Sequence, residues 1–249
     1  MLECRINKVP LDEWGLNLEK KGISIESPKP TISSITVPGL NGAIDTTVED
    51  DMHAAFQQKR AITLSLYALG DLATVSVLFE RIAKEIHGKQ GSLQTSDSNG
   101  EYHGRWSVSN WNIIRSWQDS FHCALLLELS LDADPYVYGK KRTFMLHEGE
   151  NHVAIPGSRP VWPQFSLSLD TGSASIARQD GKTLTFSTGS HMNGVLSIDT
   201  SPQSRNCRIN NNIILPTIDS DYFTLPPGAN TITCTGCSGT LEVTPLTLM

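Results

Sequence analysis

The chain has 249 residues, of which 39% are hydrophobic and 18% are charged. This balance is typical of a globular protein with one large or two ordinary domains, and it excludes disordered, collagen-like and coiled-coil chains. The formal net charge is -6, with 20 Lys and Arg against 26 Asp and Glu, so we expect no specific binding to a nucleic-acid backbone. We also expect no membrane span and no secretory signal, because no apolar run is long enough.

The five cysteines are scattered along the chain, and an odd, scattered set is typical of reduced thiols in a cytoplasmic maturation environment. They are Cys4, Cys123, Cys207, Cys234 and Cys237.

Charge density separates two parts of the chain. Residues 1–145 hold 15 basic and 18 acidic side chains, whereas residues 146–249 hold only 5 and 8. Glycine and proline punctuate the stretch 139–160 between them. We therefore predict two domains, 1–145 and 146–249.

The first domain reads as mainly β with one helix. Residues 61–68 alternate between apolar and polar side chains, which predicts a strand. Apolar residues then recur every three to four positions over 72–87, between Asp71 as N-cap and Gly88 as C′ residue, which predicts a helix. The fold class we expect for the whole chain is mainly β with this one helix (α+β).

Turn residues and a long apolar run predict three further strands. Asp97-Ser-Asn-Gly100 separates two strand-like stretches, as in a hairpin. Residues 121–131 are apolar on both faces, so we expect a strand that runs through the core.

The second domain has no helical periodicity. Short strand-like runs alternate with turn sequences, which is typical of a β-sandwich of jelly-roll type. The runs are Phe165–Leu169, Thr183–Ser187, Ile209–Leu215, Thr231–Cys234 and Thr240–Thr244.

Catalytic motifs are missing from the sequence. There is no nucleophile elbow and no dinucleotide-binding glycine pattern. Gly181-Lys-Thr183 lacks the first glycine of a phosphate loop, because Ile176 stands in its place. His147 and His152 are five residues apart across a glycine, so they do not form the pair of a zinc-binding helix, and a solvated linker is favoured. We predict no catalytic residue, no metal and no cofactor.

Cys234 and Cys237 form a Cys-x-x-Cys pair with three open interpretations. Structural thiols are favoured, because the pair lies at a turn between strands and no second such pair exists. A metal site with Cys207 and His191 and a disulfide are the alternatives.

Aromatic side chains offer one cue to ligand binding. Trp162, Tyr222 and Phe223 lie near turns of the second domain, where flat rings could stack on sugars. Packing in the core is the alternative and more common role of such residues.

Four segments in order resemble the distal tail protein (Dit) family of long-tailed siphophages. They are Pro38-Gly-Leu-Asn-Gly-Ala-Ile-Asp45, the strand and helix that follow it, Tyr102-His-Gly-Arg-Trp-Ser-Val108, and Asp134-Pro-Tyr136. The resemblance implies that the first domain builds a homohexameric ring and that the second is galectin-like. It implies a location in the virion at the tail tip, after assembly in the host cytoplasm. The implied partners are the tail-tube protein, a Tal-like tail-tip protein and a receptor-binding or baseplate protein.

The residues of this pattern have plausible physical roles. Gly39 and Gly42 allow a sharp turn before Asp45, whose carboxylate can cap nearby N–H groups. Gly104 permits close approach of a neighbouring strand, and Arg105 offers a planar fork for a carboxylate, within the domain or between subunits.

The remaining pattern residues and an acidic run complete the candidate set. Pro135 ends the core strand, and Tyr136 follows it. Glu49, Asp50 and Asp51 are candidates for the lumen of the ring, where negative charge would repel passing DNA, or for an interface. A solvated loop is the alternative.

Two functions from different classes remain. The first is a structural hub that joins tail tube, tail-tip protein and adhesion device. The alternative is a carbohydrate-binding module that recognises host cell-wall glycans through the C-terminal sandwich. A glycan hydrolase needs two carboxylates held about 5–10 Å apart, and the sequence gives no sign of such a pair.

Overall fold

The computed structural model describes residues 3–39, 41–115, 122–169, 172–187 and 194–249. The chain divides into two compact units. The first comprises the described residues up to Val48, Ala55–Tyr138 and Met249, and the second comprises Glu49–Ala54 and Gly139–Leu248. The second unit begins before the expected position 146, since the strand Arg142–Leu146 pairs with a strand of that unit.

The first unit is mainly β with one helix. Its elements are β1 (Cys4–Ile6), β2 (Val9–Pro10), β3 (Asn17–Ile25), β4 (Ser34–Thr36), β5 (Ala43–Asp45), β6 (Arg60–Gly70), α1 (Leu72–Glu85), β7 (Gln90–Thr95), β8 (Glu101–Arg115), β9 (Cys123–Ala133) and β10 (Val137–Tyr138). An antiparallel sheet runs in the order β2-β1-β7-β8-β9-β6-β3, and β10 pairs with the start of β8. Strands β4 and β5 form a separate two-stranded sheet.

The predicted elements of this unit are confirmed with small shifts. The strand expected at 61–68 is β6, and the helix expected at 72–87 is α1. Asp71 is the N-cap, and its carboxylate accepts a hydrogen bond from the backbone N–H of Thr74 at 2.7 Å. The turn at 97–100 joins β7 to β8 as predicted.

The strand expected at 121–131 is β9, at Cys123–Ala133, and Phe121 lies outside the described residues. The expectation of burial on both faces is wrong. Inward side chains such as Leu125 and Leu129 are fully buried, but the alternate ones such as Glu128 remain half-exposed. A strand can carry apolar side chains on both faces and still pack only one of these faces against the core.

The second unit is a β-sandwich, as the turn pattern predicted. Its strands are β11 (Arg142–Leu146), β12 (Gly149–Ile155), β13 (Gln164–Leu169), β14 (Ser173–Arg178), β15 (Thr183–Ser187), β16 (Val195–Asp199), β17 (Asn206–Ile209), β18 (Asn212–Ile213), β19 (Gly228–Thr235), β20 (Cys237–Val243) and β21 (Leu246–Thr247). One sheet has the order β11-β20-β13-β16-β17-β18 and the other has the order β12-β19-β14-β15. Alternating side chains of both sheets form one buried core.

One predicted strand of this unit is divided. The run 209–215 is not continuous, since Asn210 and Asn211 adopt positive φ angles of 47° and 68° and turn the chain from β17 into β18. Asparagine tolerates this conformation better than other non-glycine residues, so the turn takes precedence over the apolar pattern.

Candidate assembly surface

The segment from Lys29 to Thr46 forms an arm of the first unit that buries none of its described residues. Every residue at 29–39 and 41–46 is exposed. Backbone hydrogen bonds hold its base, from Thr31 N to Phe56 O at 2.7 Å and from Gln58 N to Lys29 O at 2.7 Å. Strands β4 and β5 pair farther along the arm, with Ile35 opposite Ile44.

The arm carries the first motif of the family pattern. Gly39 and Gly42 have φ angles of +87° and +96°, and a Cβ atom on either would meet nothing within 4 Å. These glycines therefore serve the backbone conformation and not a close contact. Asp45 accepts hydrogen bonds from Thr47, one of them from its backbone N–H at 2.9 Å, which lower the pKa of the Asp45 carboxyl.

Apolar side chains on and beside the arm face solvent. Ile32 is 71% exposed, and Ile35 and Ile44 on the paired strands are 55% and 48% exposed. Val48 is 70% exposed. An isolated two-stranded hairpin is only marginally stable in water. A group of exposed isoleucines on such a hairpin indicates a surface that another molecule covers. Sequence analysis missed this surface, because its apolar residues have the same pattern as those of a buried strand.

The third segment of the family pattern, Tyr102–Val108, lies in the sheet of the first unit. Gly104 in β8 pairs with Gly91 of β7 and with Ala133 of β9. A Cβ atom on Gly104 would lie 2.3 Å from the carbonyl oxygen of Asp132, so only glycine fits there. Arg105 donates a hydrogen bond from Nη1 to the carbonyl oxygen of Gly88 at 2.5 Å, just after α1. The guanidinium group of Arg105 thus has a backbone partner within the first unit.

The fourth segment, Asp134-Pro-Tyr136, follows the end of β9, as the sequence indicated. Strand β9 stops at Ala133, and Pro135 lies in the bend that follows. Asp134 accepts a hydrogen bond from the hydroxyl of Tyr138 at 3.0 Å, and burial together with the Asp134 charge raises the pKa of Tyr138. Pro135 and Tyr136 are both half-buried.

The acidic run at 49–51 has cationic partners in the second unit. Asp51 receives hydrogen bonds from Arg178 Nη1 at 3.1 Å, from Lys182 Nζ at 3.2 Å and from Thr224 Oγ1 at 2.6 Å. These bonds lower the pKa of Asp51 against the opposing effect of its partial burial. The side chain of Arg178 is only 8% exposed, and it also donates to Asp180, which lowers the pKa of Asp180 to about 2.

Asp50 and Glu49 are engaged as well. Asp50 lies 3.4 Å from Arg159 Nη1 and accepts the backbone N–H of Met52 at 2.8 Å. Glu49 lies 3.5 Å from a ring nitrogen of His53. Asp50 and Asp51 therefore fasten the segment Glu49–Ala54 within the second unit through Arg and Lys side chains, whereas the partner of Glu49 belongs to the segment itself. The role in the lumen or at an interface that we expected for Glu49, Asp50 and Asp51 stays a prediction.

The three candidate sugar-stacking residues do not form an exposed aromatic surface. Phe223 is only 1% exposed, so its ring cannot stack on a sugar. Tyr222 is half-buried, its hydroxyl lies 3.2 Å from Cys207 Sγ, and the Arg205 guanidinium covers its ring at 4.4 Å from the centroid. Trp162 is half-buried.

The other motifs that the sequence singled out have ordinary structural settings. His152 lies exposed on β12, five residues after His147, and its ring is near Glu150 at 3.4 Å. His191 lies outside the described residues. In the described ranges, no group of three or more His, Cys, Asp or Glu side chains is placed to hold a metal ion. The helix α1, within those ranges, is too short and too polar to span a membrane.

Comparison with known proteins finds one family model and several solved structures that are similar to this chain. Residues 156–245 match the family model described as siphovirus-type tail component, C-terminal domain. The crystal structure of the Dit (gp 19.1) protein of phage SPP1 is similar over 99% of each chain, with a TM-score of 0.74 and 18% identity. A chain of the activated phage p2 baseplate with strontium matches over 98% of each chain, with a TM-score of 0.49 and 8% identity. No curated protein matches the chain.

These comparisons agree with the order of motifs in the sequence. The match at 18% identity shows that the chain has the Dit fold, and the family model independently assigns the larger part of the second unit. The resemblance predicted from the four ordered segments is thus confirmed: most of the second unit matches the siphovirus-type tail component family model, and the whole chain has the Dit fold.

Proposed function

We propose that this protein is the hub of a siphophage tail tip and that its first units assemble into a homohexameric ring. The ring joins the tail-tube protein, a Tal-like tail-tip protein and a receptor-binding or baseplate protein. Its role is structural, without catalysis, and DNA passes through its centre. The SPP1 protein is described as a paradigm of the hub of the adsorption apparatus in phages that infect Gram-positive bacteria, and the shared fold supports the same role here.

The observation that carries this proposal is the exposed arm at 29–46. Its isoleucines are exposed among the residues that the structure describes, and a neighbouring copy in a ring would cover them. A contact between an arm and a different surface of the next copy is heterologous, and such contacts form a ring when the rotation between copies closes. The arm therefore provides the kind of contact that a hexameric ring requires.

The outward face of the sheet in the first unit suits the wall of a conduit. Along three neighbouring strands it presents small polar side chains, such as Ser65 on β6, Ser130 on β9 and Ser107 on β8. Half-exposed hydroxyl groups offer DNA no positive charge to bind, so a phosphate backbone can slide past them. We assign this face, instead of Glu49–Asp51, to the lumen.

Light scattering of the purified full chain tests the ring, together with negative-stain images of the same peak. We expect a species with six times the 27.3 kDa mass of one chain and a central hole. A mixture with the tail-tip protein provides the second measurement, since some rings close only on a partner. A monomer under both conditions would contradict the proposal.

Glycan binding by the second unit is a second candidate function. The observation that favours it is a shallow groove of about 260 Å³ on the outward face of the six-stranded sheet, lined by Gln164, Ser166, Ser197, Asp199, Asn206 and Glu242. These groups can hydrogen-bond sugar hydroxyls. Phe165 also lines the groove, but it is only 2% exposed, so its ring is not available for stacking on a sugar.

Retention of the full chain on purified cell-wall polysaccharide tests this candidate. We expect the double variant Gln164→Ala/Asn206→Ala to lose retention, because it removes two amides of the groove. The matched control Gln94→Ala/Asn112→Ala removes two amides from the first unit. Equal retention of the two variants would exclude the groove as the binding site.

A further inference from the structure

The chain crosses from one sheet of the sandwich to the other between β19 and β20. Strand β19 pairs with β12 and β14, whereas β20 pairs with β11 and β13. Only Thr235 and Gly236 separate Cys234, near the end of β19, from Cys237, at the start of β20. The two cysteines therefore flank a corner, one on each sheet.

Both side chains point into the core of the second unit. Cys234 is 1% exposed and Cys237 is 0% exposed, and both belong to the same buried cluster. Cys237 Sγ lies 3.8 Å from the carbonyl oxygen of Ser175, and the Cys237 thiol is hydrogen-bonded to Cys234. The two sulfur atoms are thus neighbours before any bond forms between them.

We propose that Cys234 and Cys237 are a redox pair that forms a disulfide and closes this corner when the protein meets an oxidising medium. A disulfide requires two cysteines with adjacent Cβ atoms. The two-residue corner and the hydrogen bond between the thiols place Cys234 and Cys237 as neighbours. A zinc site is the less suitable alternative, because the described residues offer no third ligand beside the pair.

The other cysteines have different surroundings. Cys4 is buried in the first unit, and its burial raises the pKa of its thiol to about 11. Burial also raises the pKa of Cys207, whose sulfur contacts the hydroxyl of Tyr222. The hydrogen bond from Cys237 instead lowers the pKa of Cys234, which favours Cys234 as the attacking thiolate.

The reaction is a thiol–disulfide exchange with a small-molecule disulfide such as oxidised glutathione. The Cys234 thiolate attacks one sulfur of glutathione disulfide, forms a mixed disulfide and releases one glutathione thiolate. The Cys237 thiolate then attacks Cys234 Sγ and releases the second glutathione. The protein loses two protons and two electrons, and glutathione disulfide is reduced to two thiols. Because both sulfurs are buried, each step proceeds when the corner opens.

Equilibration of the full chain in glutathione buffers of graded redox ratio tests the proposal. The equilibrium is approached from reduced protein and from oxidised protein, so that slow access to the buried sulfurs does not decide the outcome. After acid quenching and alkylation, the peptide with both cysteines should carry no alkyl group and should weigh about 2 Da less than the unalkylated reduced peptide, whereas the reduced peptide carries two alkyl groups. The same titration in denaturant gives the reference for the unfolded chain.

We expect the equilibrium constant for forming the disulfide to be about tenfold or more larger in the native chain than in the denatured chain. The reason is that the native fold favours a bond that fits its geometry. Cys207→Ser should leave this ratio unchanged, and Cys234→Ser should abolish the modified peptide. An equilibrium constant in the native chain that is equal to or smaller than that in the denatured chain would overturn the proposal. A bond between Cys207 and either member of the pair would overturn it as well.

Discussion

Serine at Ile35 and Ile44 should separate the proposed ring into smaller species without unfolding the chain. The two isoleucines face each other across β4 and β5 and keep 55% and 48% of their surface exposed. Burying a whole isoleucine side chain stabilises by about 1.5–3 kcal/mol, so covering the exposed half of each contributes about 1 kcal/mol. The double variant should therefore weaken each contact between neighbouring copies by about 2 kcal/mol, or about 30-fold in association constant.

Sedimentation velocity over a dilution series measures this change directly. The double variant should dissociate at a higher protein concentration than the unmodified chain, while its thermal midpoint stays the same because neither side chain belongs to the core. Ile213→Ser/Ile218→Ser is the matched control, since these isoleucines of the second unit are 75% and 98% exposed and lie outside the proposed ring contact. Equal dissociation of both double variants, or of neither, would refute the assignment of the arm to the ring.

Three further predictions concern stability. Gly104→Ala should cost about 3 kcal/mol in denaturant unfolding, because its Cβ would lie 2.3 Å from the Asp132 carbonyl oxygen, whereas Ser107→Ala on the same strand should cost less than about 1 kcal/mol. Asp51→Ala should destabilise the second unit by about 2 kcal/mol, because Arg178 loses a charged partner, and a midpoint equal to that of Glu49→Ala would contradict this. The Asp51 contribution should also depend on pH. The folded pKa of Asp51 lies below its unfolded value near about 3.9, so this stability is present above pH ~4 and is lost as the pH falls through the folded pKa. The difference between Asp51→Asn and the unmodified chain should shrink accordingly in thermal unfolding at decreasing pH, and a constant difference would contradict it.

Local features of the fold were predictable because neighbouring residues determine them. Asp71 and Gly88 mark the limits of the helix region, and the turn at 97–100 specifies the hairpin of β7 and β8. The alternation of small polar and apolar residues in the second half was sufficient to predict a sandwich. Residues Asn210 and Asn211 show the limit of this approach, since the sequence offered both a turn and a continuous strand there.

The candidate assembly surface could not be recognised from the sequence, because exposure depends on what the rest of the chain covers. Ile35 and Ile44 have the alternation of an ordinary core strand, yet they keep 55% and 48% of their surface exposed among the described residues. The partners of Asp51 could not be predicted from the sequence either. Arg178 lies 127 residues away, and no local pattern pairs residues at such a separation.

The segment Glu49–Ala54 has a consequence for how this protein can vary between phages. A fragment that begins at residue 139 or 146 lacks Asp50 and Asp51 and leaves Arg159 and Arg178 without these partners. A genetic exchange that brings in a foreign C-terminal half would separate the same charges. We therefore expect Glu49–Ala54 and the C-terminal part of the second unit to vary together among relatives. The second unit is then inherited as two separate stretches of sequence, and the smaller stretch lies within the sequence of the first unit.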